Sequence, residues 1–366
     1  MSNRRNFLKR SGALIPALWM PLSSKLLAEE TEPAGWRTYE VTTHVEIRNP
    51  AGVTRVWIPE PLIRETPFQK TLGNEIKCEE GKVTRFRDKQ QGMGIINAVF
   101  PAGTKPAITV TSSAKLRDWT VDVATGNKRP DLSSSERIQY LRSTKMVPTD
   151  GIVKQRAIEI TRNAGSEMEK ARAIYAWIVE NTYRSPKVRG CGRGDIGKML
   201  ESGELSGKCA DLNGLYVGLA RAAGLPAREV FGIRVAKSQL GYRSLGTSSE
   251  NVTKAQHCRA EVYVTGYGWL PVDPADVRKV MLEEPPGPRT LEDEKVKAIR
   301  ARLFGAWEMN WMAYNFAQDV ALPGAAGPPV HFFMYPEAET QDGRLDCLDP
   351  DTFCYSITTR TVAEPT

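Results

Sequence analysis

Histidine is the scarcest chemically useful residue in this chain, with three in 366 positions, and cysteine is sparse at six. Six cysteines in a chain this long are too few for a disulfide scaffold. Zinc chemistry is disfavoured by the absence of C-x-x-C and H-E-x-x-H and by the few histidines. A serine hydrolase is not supported either, because no G-x-S-x-G occurs. No apolar run approaches the ~20 residues that a spanning helix needs. No internal repeat appears at solenoid or propeller spacing. A one-sided charge is also missing. Lys and Arg exceed Asp and Glu by seven, but five uncompensated bases lie in residues 1–28, leaving +2 for the rest. Nucleic acid is therefore not an expected partner. Length and ordinary hydrophobic content (41%) point to two or three globular domains with ample core.

The first 28 residues have a basic start, an apolar stretch from Gly12 to Leu22 and Ala28 before an acidic run. This is the layout of an export signal. Arg4-Arg5 followed by Phe7-Leu8-Lys9 resembles a twin-arginine signal, whose pathway carries folded proteins. The expected location is the periplasm or outside the cell, with no stable membrane anchor after signal removal. In such an oxidising compartment a reactive thiol is conspicuous.

Three regions follow. Residues 36–125 read as an antiparallel, sandwich-like β domain. Arg37–Arg48 alternates polar and apolar residues, Asn49-Pro50-Ala51-Gly52 reads as a turn, and Val53–Ile58 completes an expected hairpin. His44 falls on the polar face of the first strand. Residues 149–285 change character. Ser166-Glu167-Met168-Glu169 is a capping box, and Met168, Ala171, Ile174, Tyr175, Ile178 and Val179 recur at helical spacing. A Gly-rich connection around Cys191 precedes a helix that begins near Cys209 and stops at Gly224 with Pro226 beyond. Strands are expected at Ala227–Ala236, His257–Val264 and Trp269–Asp273. Helices and strands in blocks argue for an α+β fold. Residues 286–366 read as an aromatic-rich C-terminal extension packing on the core. It carries Trp307, Trp311, Tyr314 and Phe316 and strand-like runs at Val330–Tyr335 and Phe353–Thr359; Cys347 and Cys354 are close enough in sequence to pair.

Cys209 stands at the first turn of its helix, where the helix dipole and a nearby imidazole lower a thiol pKa. The free N–H groups there can hold an oxyanion. Gly207 just before it would let a substrate approach. A nucleophilic thiol needs a base that later protonates the leaving amine, and His257, at the start of a strand, suits that role. A carboxylate should orient the ring. With a two-residue turn at Gly266-Tyr267, His257 faces Asp276 and Asp273 lies on the opposite face; a longer turn brings Asp273 alongside. Both remain candidates on spacing alone.

Gly207-Lys208-Cys209-Ala210-Asp211-Leu212, with the Gly224-Leu225-Pro226-Ala227-Arg228 turn behind it, resembles the core of the transglutaminase-like superfamily. So do His257-Cys258-Arg259-Ala260-Glu261-Val262 and Gly268-Trp269-Leu270-Pro271-Val272-Asp273-Pro274. The blocks occur in order within the middle region. The resemblance implies a papain-like transglutaminase core preceded by an antiparallel β domain, and a catalytic triad of Cys209, His257 and Asp273, favouring Asp273 over Asp276. It implies a thioester mechanism needing no cofactor and no metal. The expected activity is that of an exported cysteine hydrolase, a peptidase or amidase acting on protein or peptide, cell-wall peptide included. Amine transfer by a protein-glutamine transglutaminase and a non-catalytic binding or scaffold module are the alternatives. The Cys209 N–H and Tyr183 are candidate oxyanion donors. Cys258, on the core face, is expected to pack or to form a disulfide with Cys191, and Cys78 to stay unpaired. His331 is expected to be structural.

Overall fold

A computed structural model describes residues 35–126, 131–349 and 353–362; the expected export signal lies outside these. Six strands open the described chain: β1 (Arg37–Glu46), β2 (Thr54–Pro59), β3 (Gln69–Lys77), β4 (Lys82–Asp88), β5 (Met93–Phe100) and β6 (Ala107–Leu116). In β1 and β6 alternate residues are buried, Tyr39, Val41, Thr43 and Val45 in the first and Ile108, Val110, Ser112 and Ala114 in the second. Side chains point to opposite faces of a strand in turn, so such a strand covers a core on one side only.

Helices α1 (Ser134–Leu141), α2 (Gly151–Thr161), α3 (Glu167–Asn181), α4 (Ile196–Ser202) and α5 (Cys209–Ala222) follow. Ser166 caps α3, its hydroxyl accepting the Glu169 N–H at 3.2 Å. The helix buries Ala171, Ile174, Tyr175, Ile178 and Val179. In α5 every residue except Asp211 is buried. A helix that is apolar nearly all round belongs inside, and α5 packs on β7 (Ala227–Arg234) and β8 (Gln256–Val264). Strand β9 (Gly268–Val272) returns antiparallel to β8 and runs into α6 (Pro274–Glu283); α7 (Glu294–Arg302) follows. Val264 pairs with Gly268, so the connection is a three-residue turn, and the register continues to Ala260 opposite Val272. One step further sets Asp273 opposite Arg259, on the face that also carries His257. Turn length thus decides between the two candidate carboxylates on the strand face.

The chain beyond α7 supplies strands to the central sheet and to both sheets of the sandwich. β10 (Trp311–Asn315) pairs with β7 and completes the central order β9-β8-β7-β10. β11 (Glu337–Thr340) pairs with β2, and β12 (Cys354–Val362) runs the length of β1, from Thr38 opposite Val362 to Glu46 opposite Cys354. The outer sheets are therefore β12-β1-β6-β3 and β11-β2-β5-β4, the latter edged by Gly343–Arg344. Val45, Ile47, Ile108 and Val110 of one meet Val56, Ile58, Ile96 and Ala98 of the other in a shared core. The expected hairpin of β1 with β2 does not form, because the two strands lie in different sheets. Asn49–Gly52 is a crossover, and the apolar faces of both strands are satisfied across the sandwich rather than side by side.

Candidate active site

The start of α5 is assembled around Asp211. Its carboxylate accepts the backbone N–H groups of Lys208 (2.9 Å), Arg193 (3.0 Å) and Gly194 (2.8 Å). A Cβ at Gly192, where φ is +99°, would come within 1.9 Å of Asp211 Oδ2, and one at Gly207 within 2.4 Å of Asp211 Cβ. Gly207 therefore makes room for Asp211, which replaces the expectation that it makes room for substrate. The Ala210 N–H donates to the Cys191 carbonyl at 2.9 Å, stitching the Cys191 loop onto the helix.

Cys209 is 3% exposed at the first position of α5, where its N–H has no intrahelical acceptor. Its Sγ lies 3.9 Å from the Cys191 carbonyl oxygen. Hydrogen bonding from the Cys191 thiol, then from Cys258, and the hydrogen bond and charge of His257 hold the Cys209 thiol well below the usual range, against burial. Cys191 and Cys258 are pushed up in turn, chiefly by the hydrogen bond to Cys209 in the first and by burial in the second. All six cysteines are free. Cys191 and Cys258 thus flank the nucleophile candidate instead of bonding each other, and Cys191 Sγ also lies 3.2 Å from the Gln256 carbonyl oxygen. Cys347 and Cys354 are likewise unpaired, and Cys78 donates to the Gly81 carbonyl.

His257 sits near the start of β8, 4% exposed. Its Nε2 is 2.8 Å from Asp273 Oδ2, so the N–H on that nitrogen donates to the carboxylate and Nδ1 is left for the thiol side. Burial alone would lower the imidazole pKa, but the charges of Asp276 and Asp273 outweigh it and Arg234, leaving it raised. Asp273 also caps α6, its Oδ1 accepting the Asp276 N–H at 3.0 Å and the Asn213 amide at 3.1 Å. Burial and the neighbouring Asp276 push its own pKa up. Asp276 lies 3.5 Å from the ring, but Arg234 holds both its oxygens, at 2.6 and 2.7 Å. The structure therefore brings Cys209, His257 and Asp273 together, with Asp276 as a second carboxylate committed to an arginine.

Several residues of this site escape sequence reading. Asn213 ties α5 to β8 through the Cys258 carbonyl (2.8 Å) and to Asp273. It lies one helical turn after Cys209, and that spacing is the signal that could have found it. Trp311 donates its indole N–H to the His257 carbonyl at 2.9 Å. Gly232 permits this, since a Cβ there would stand 2.6 Å from the Trp311 ring. Gln256 Nε2 is buried with no hydrogen-bond partner, and Gln256 lines the cleft together with its neighbour His257. Tyr183, in contrast, is 61% exposed, lies under the Arg278 guanidinium (5.0 Å) and does not line the cleft. The structure does not bring it to Cys209, because its side chain turns outward while the following Arg184 turns in. His44 bonds Thr109 on the sandwich, and the partly buried His331 lies 3.9 Å from Asp319, both away from the cleft. The cleft itself has a volume of about 550 Å³ and is lined by Cys191, Cys209, Gln256, His257, Tyr335 and Tyr355 among others.

The transglutaminase-like superfamily core matches residues 154–274, a span holding Cys209, His257 and Asp273. A protein from Haemophilus influenzae, described as uncharacterized, is 36% identical over 340 residues, covering 88% of this chain and 91% of that one. The chain belongs to the transglutaminase-like superfamily. The solved structure of a candidate cysteine protease from Cytophaga hutchinsonii matches with a TM-score of 0.51 at 16% identity, over 89% of this chain and 99% of that one. That likeness shows a shared fold. In this transglutaminase-like chain the motif residues Arg228 and Glu261 form a buried ion pair at 2.6 Å, with Arg228 against the rings of Phe316 (3.7 Å) and Trp269 (4.0 Å). They brace the sheet, while Cys209 and His257 face the cleft.

Proposed function

We propose that the chain is an exported cysteine hydrolase that cleaves amide bonds of peptides or proteins through a Cys209 thioester. The observation that carries this reading is a buried thiol, held low at the mouth of α5, with an imidazole that hydrogen-bonds Asp273 on its far nitrogen. In this mechanism the Cys209 thiolate attacks the carbonyl carbon and forms the C–S bond. The oxyanion is met by the Cys209 N–H and by Gln256 Nε2, a buried donor with no other partner. Imidazolium Nδ1–H gives its proton to the leaving nitrogen as the C–N bond breaks. Water then loses a proton to Nδ1 and attacks the thioester, and the thiolate leaves. Asp273 holds the ring throughout and stabilises its charge. Cys191 and Cys258 act as positioning residues that hydrogen-bond the thiolate.

Hydrolysis is favoured over amine transfer because exposed residues, Arg189, Asn251 and Lys254, line the cleft mouth and admit water. The test is incubation of the protein without residues 1–28 with cell-wall peptides and a peptide library, with and without an amine donor, followed by mass spectrometry. The expected product gains one water and appears at equal rate without amine. Products that carry the amine would replace this reading by the crosslinking one. Full turnover by Cys209→Ala, or no turnover of any peptide, would overturn it. For export, a double Arg4→Lys, Arg5→Lys variant is expected to stay in the cytoplasm in a fractionation experiment.

A further inference from the structure

Six basic residues line the cleft, Arg184, Arg189, Lys208, Arg234, Lys254 and Lys279, and among the described residues no Asp or Glu does. Two of the six are neutralised one to one, Arg234 by buried Asp276 and Arg189 by Asp346 at 2.8 Å on the exposed rim. The wall nearest the thiol is not. Arg184 pairs in backbone register with Gly207, one residue before Lys208. Its guanidinium holds Glu283 at 2.8 Å, and Lys279, one turn earlier on α6, reaches that same carboxylate only at 3.9 Å. Burial first, then the charges of Arg234 and Arg184, press the Lys279 ammonium down to about 8 against the nearby carboxylates of Asp276 and Glu283. Lys208 and Lys254 make no ion pair among the described residues. Arg184, Lys208 and Lys279 thus stand on one wall of a partly enclosed cleft where both carboxylates near Lys279 are already held, Glu283 by Arg184 and Asp276 by Arg234. Under-neutralised cations in a low-dielectric recess attract an anion strongly.

We propose that the cleft selects an acyl donor bearing a carboxylate side chain close to the bond attacked, with that carboxylate seated between Lys208 and Lys279 and Lys254 drawing it in from the rim. This rests on Cys209 being the nucleophile and adds the substrate class: acidic peptides. The ammonium groups supply charge-assisted hydrogen bonds to the carboxylate, and Arg184 stays on Glu283. An amide in place of the carboxylate loses both the bonds and the steering, and a lysine there meets repulsion.

Two alkylating reagents separate the charge of the cleft from the reactivity of the thiol. Iodoacetamide is neutral and iodoacetate is its carboxylate counterpart; each forms a thioether on Cys209 and expels iodide. The ratio of the iodoacetate rate to the iodoacetamide rate is measured by intact mass beside the same ratio for glutathione. The protein's ratio is expected to exceed that of glutathione at least tenfold at low salt. It should fall several-fold in Lys208→Gln and in Lys279→Gln, and fall in about 1 M NaCl, where the Debye length is about 3 Å. Lys82→Gln, on the exposed edge strand β4, is expected to leave it unchanged. In a second arm, peptides with Glu beside a central amide should protect Cys209 from iodoacetamide at concentrations at least tenfold lower than their Gln counterparts. A ratio equal to that of glutathione, or equal protection by both peptides, overturns the anionic assignment and leaves the nucleophile standing. Stronger protection by inorganic phosphate than by the Glu peptide overturns the choice of carboxylate. A thiol silent to both reagents overturns the nucleophile, and this inference with it.

Discussion

The β-sandwich and the central sheet are built from similar antiparallel strands but differ in how much charge they bury. In the sandwich, β1 and β6 bury alternate residues and β3 and β4 are largely exposed. Several of its ion pairs, such as Arg360 with Glu40 and Lys77 with Glu75, lie at the surface, and its buried Glu60 and Glu339 are met by Arg85, Arg87 and Arg344 from its edge strands. In the central sheet, β7 and β8 are buried at every position, yet they carry Arg228, Glu229, Arg234, His257, Arg259 and Glu261. Nearly all of that charge is matched inside: Arg228 with Glu261, Arg234 with Asp276, His257 with Asp273. Burying an unmatched charge costs several kcal/mol, so a sheet covered on both faces tolerates charges only as pairs. The sandwich supports; the central sheet holds a preorganised polar array against the thiol of α5.

The comparison breaks first at the thiol. Cys209→Ala is expected to lower amide hydrolysis by at least about 10³-fold while the thermal midpoint moves little, since only a small buried group is lost. An equal loss of folding would mean that the residue is structural. Next comes the buried pair. Asp276→Asn leaves the Arg234 guanidinium without its counter-charge and is expected to destabilise by about 3–5 kcal/mol in denaturant unfolding. The Asp276 carboxyl is held low in the folded protein by Arg234 and His257, in spite of burial. The wild type therefore keeps this contribution above the unfolded carboxylate pKa of about 3.9 and loses it only as pH falls through the lowered folded value. Glu40→Gln at the sandwich surface is the matched control, with an expected cost below about 1 kcal/mol.

Smaller in effect is the pH profile. The lowered Cys209 and raised His257 values leave a window in which thiolate and imidazolium coexist. Activity should rise with pH below the usual thiol range and fall above the usual imidazole range. Asp273→Asn removes a charge that raises His257, so the alkaline limb should move to lower pH, while the side-chain oxygen can still cap α6. An unchanged limb would remove Asp273 from the triad. Phe86→Ser on β4, a 46% exposed side chain, should change stability by less than about 0.5 kcal/mol and sharpens the contrast.

Much of this was readable in the linear chain. The capped, striped helix at 167–181, the helix opening at Cys209 and the three central strands each follow from local periodicity and stop signals. The crossover at Asn49–Gly52 was not readable as such, because a turn signal says that the chain reverses but not which sheet receives it. Tyr183 failed for a similar reason: in a two-residue strand, neighbouring side chains point opposite ways, and Arg184 took the cleft side. Asn213, Gln256 and Trp311 matter through partners from 45 to 60 positions away or, for Gln256, through having none.

Order along the chain by itself determined the nucleophile candidate, its base and the family, because these depend on residue type and short spacing at the ends of regular elements. Only the tertiary structure decided which carboxylate meets the ring, which cysteines flank the thiol and how many cations the cleft leaves unmatched. Those depend on strand register and on side chains that converge from remote segments, where a shift of one residue turns a side chain to the other face.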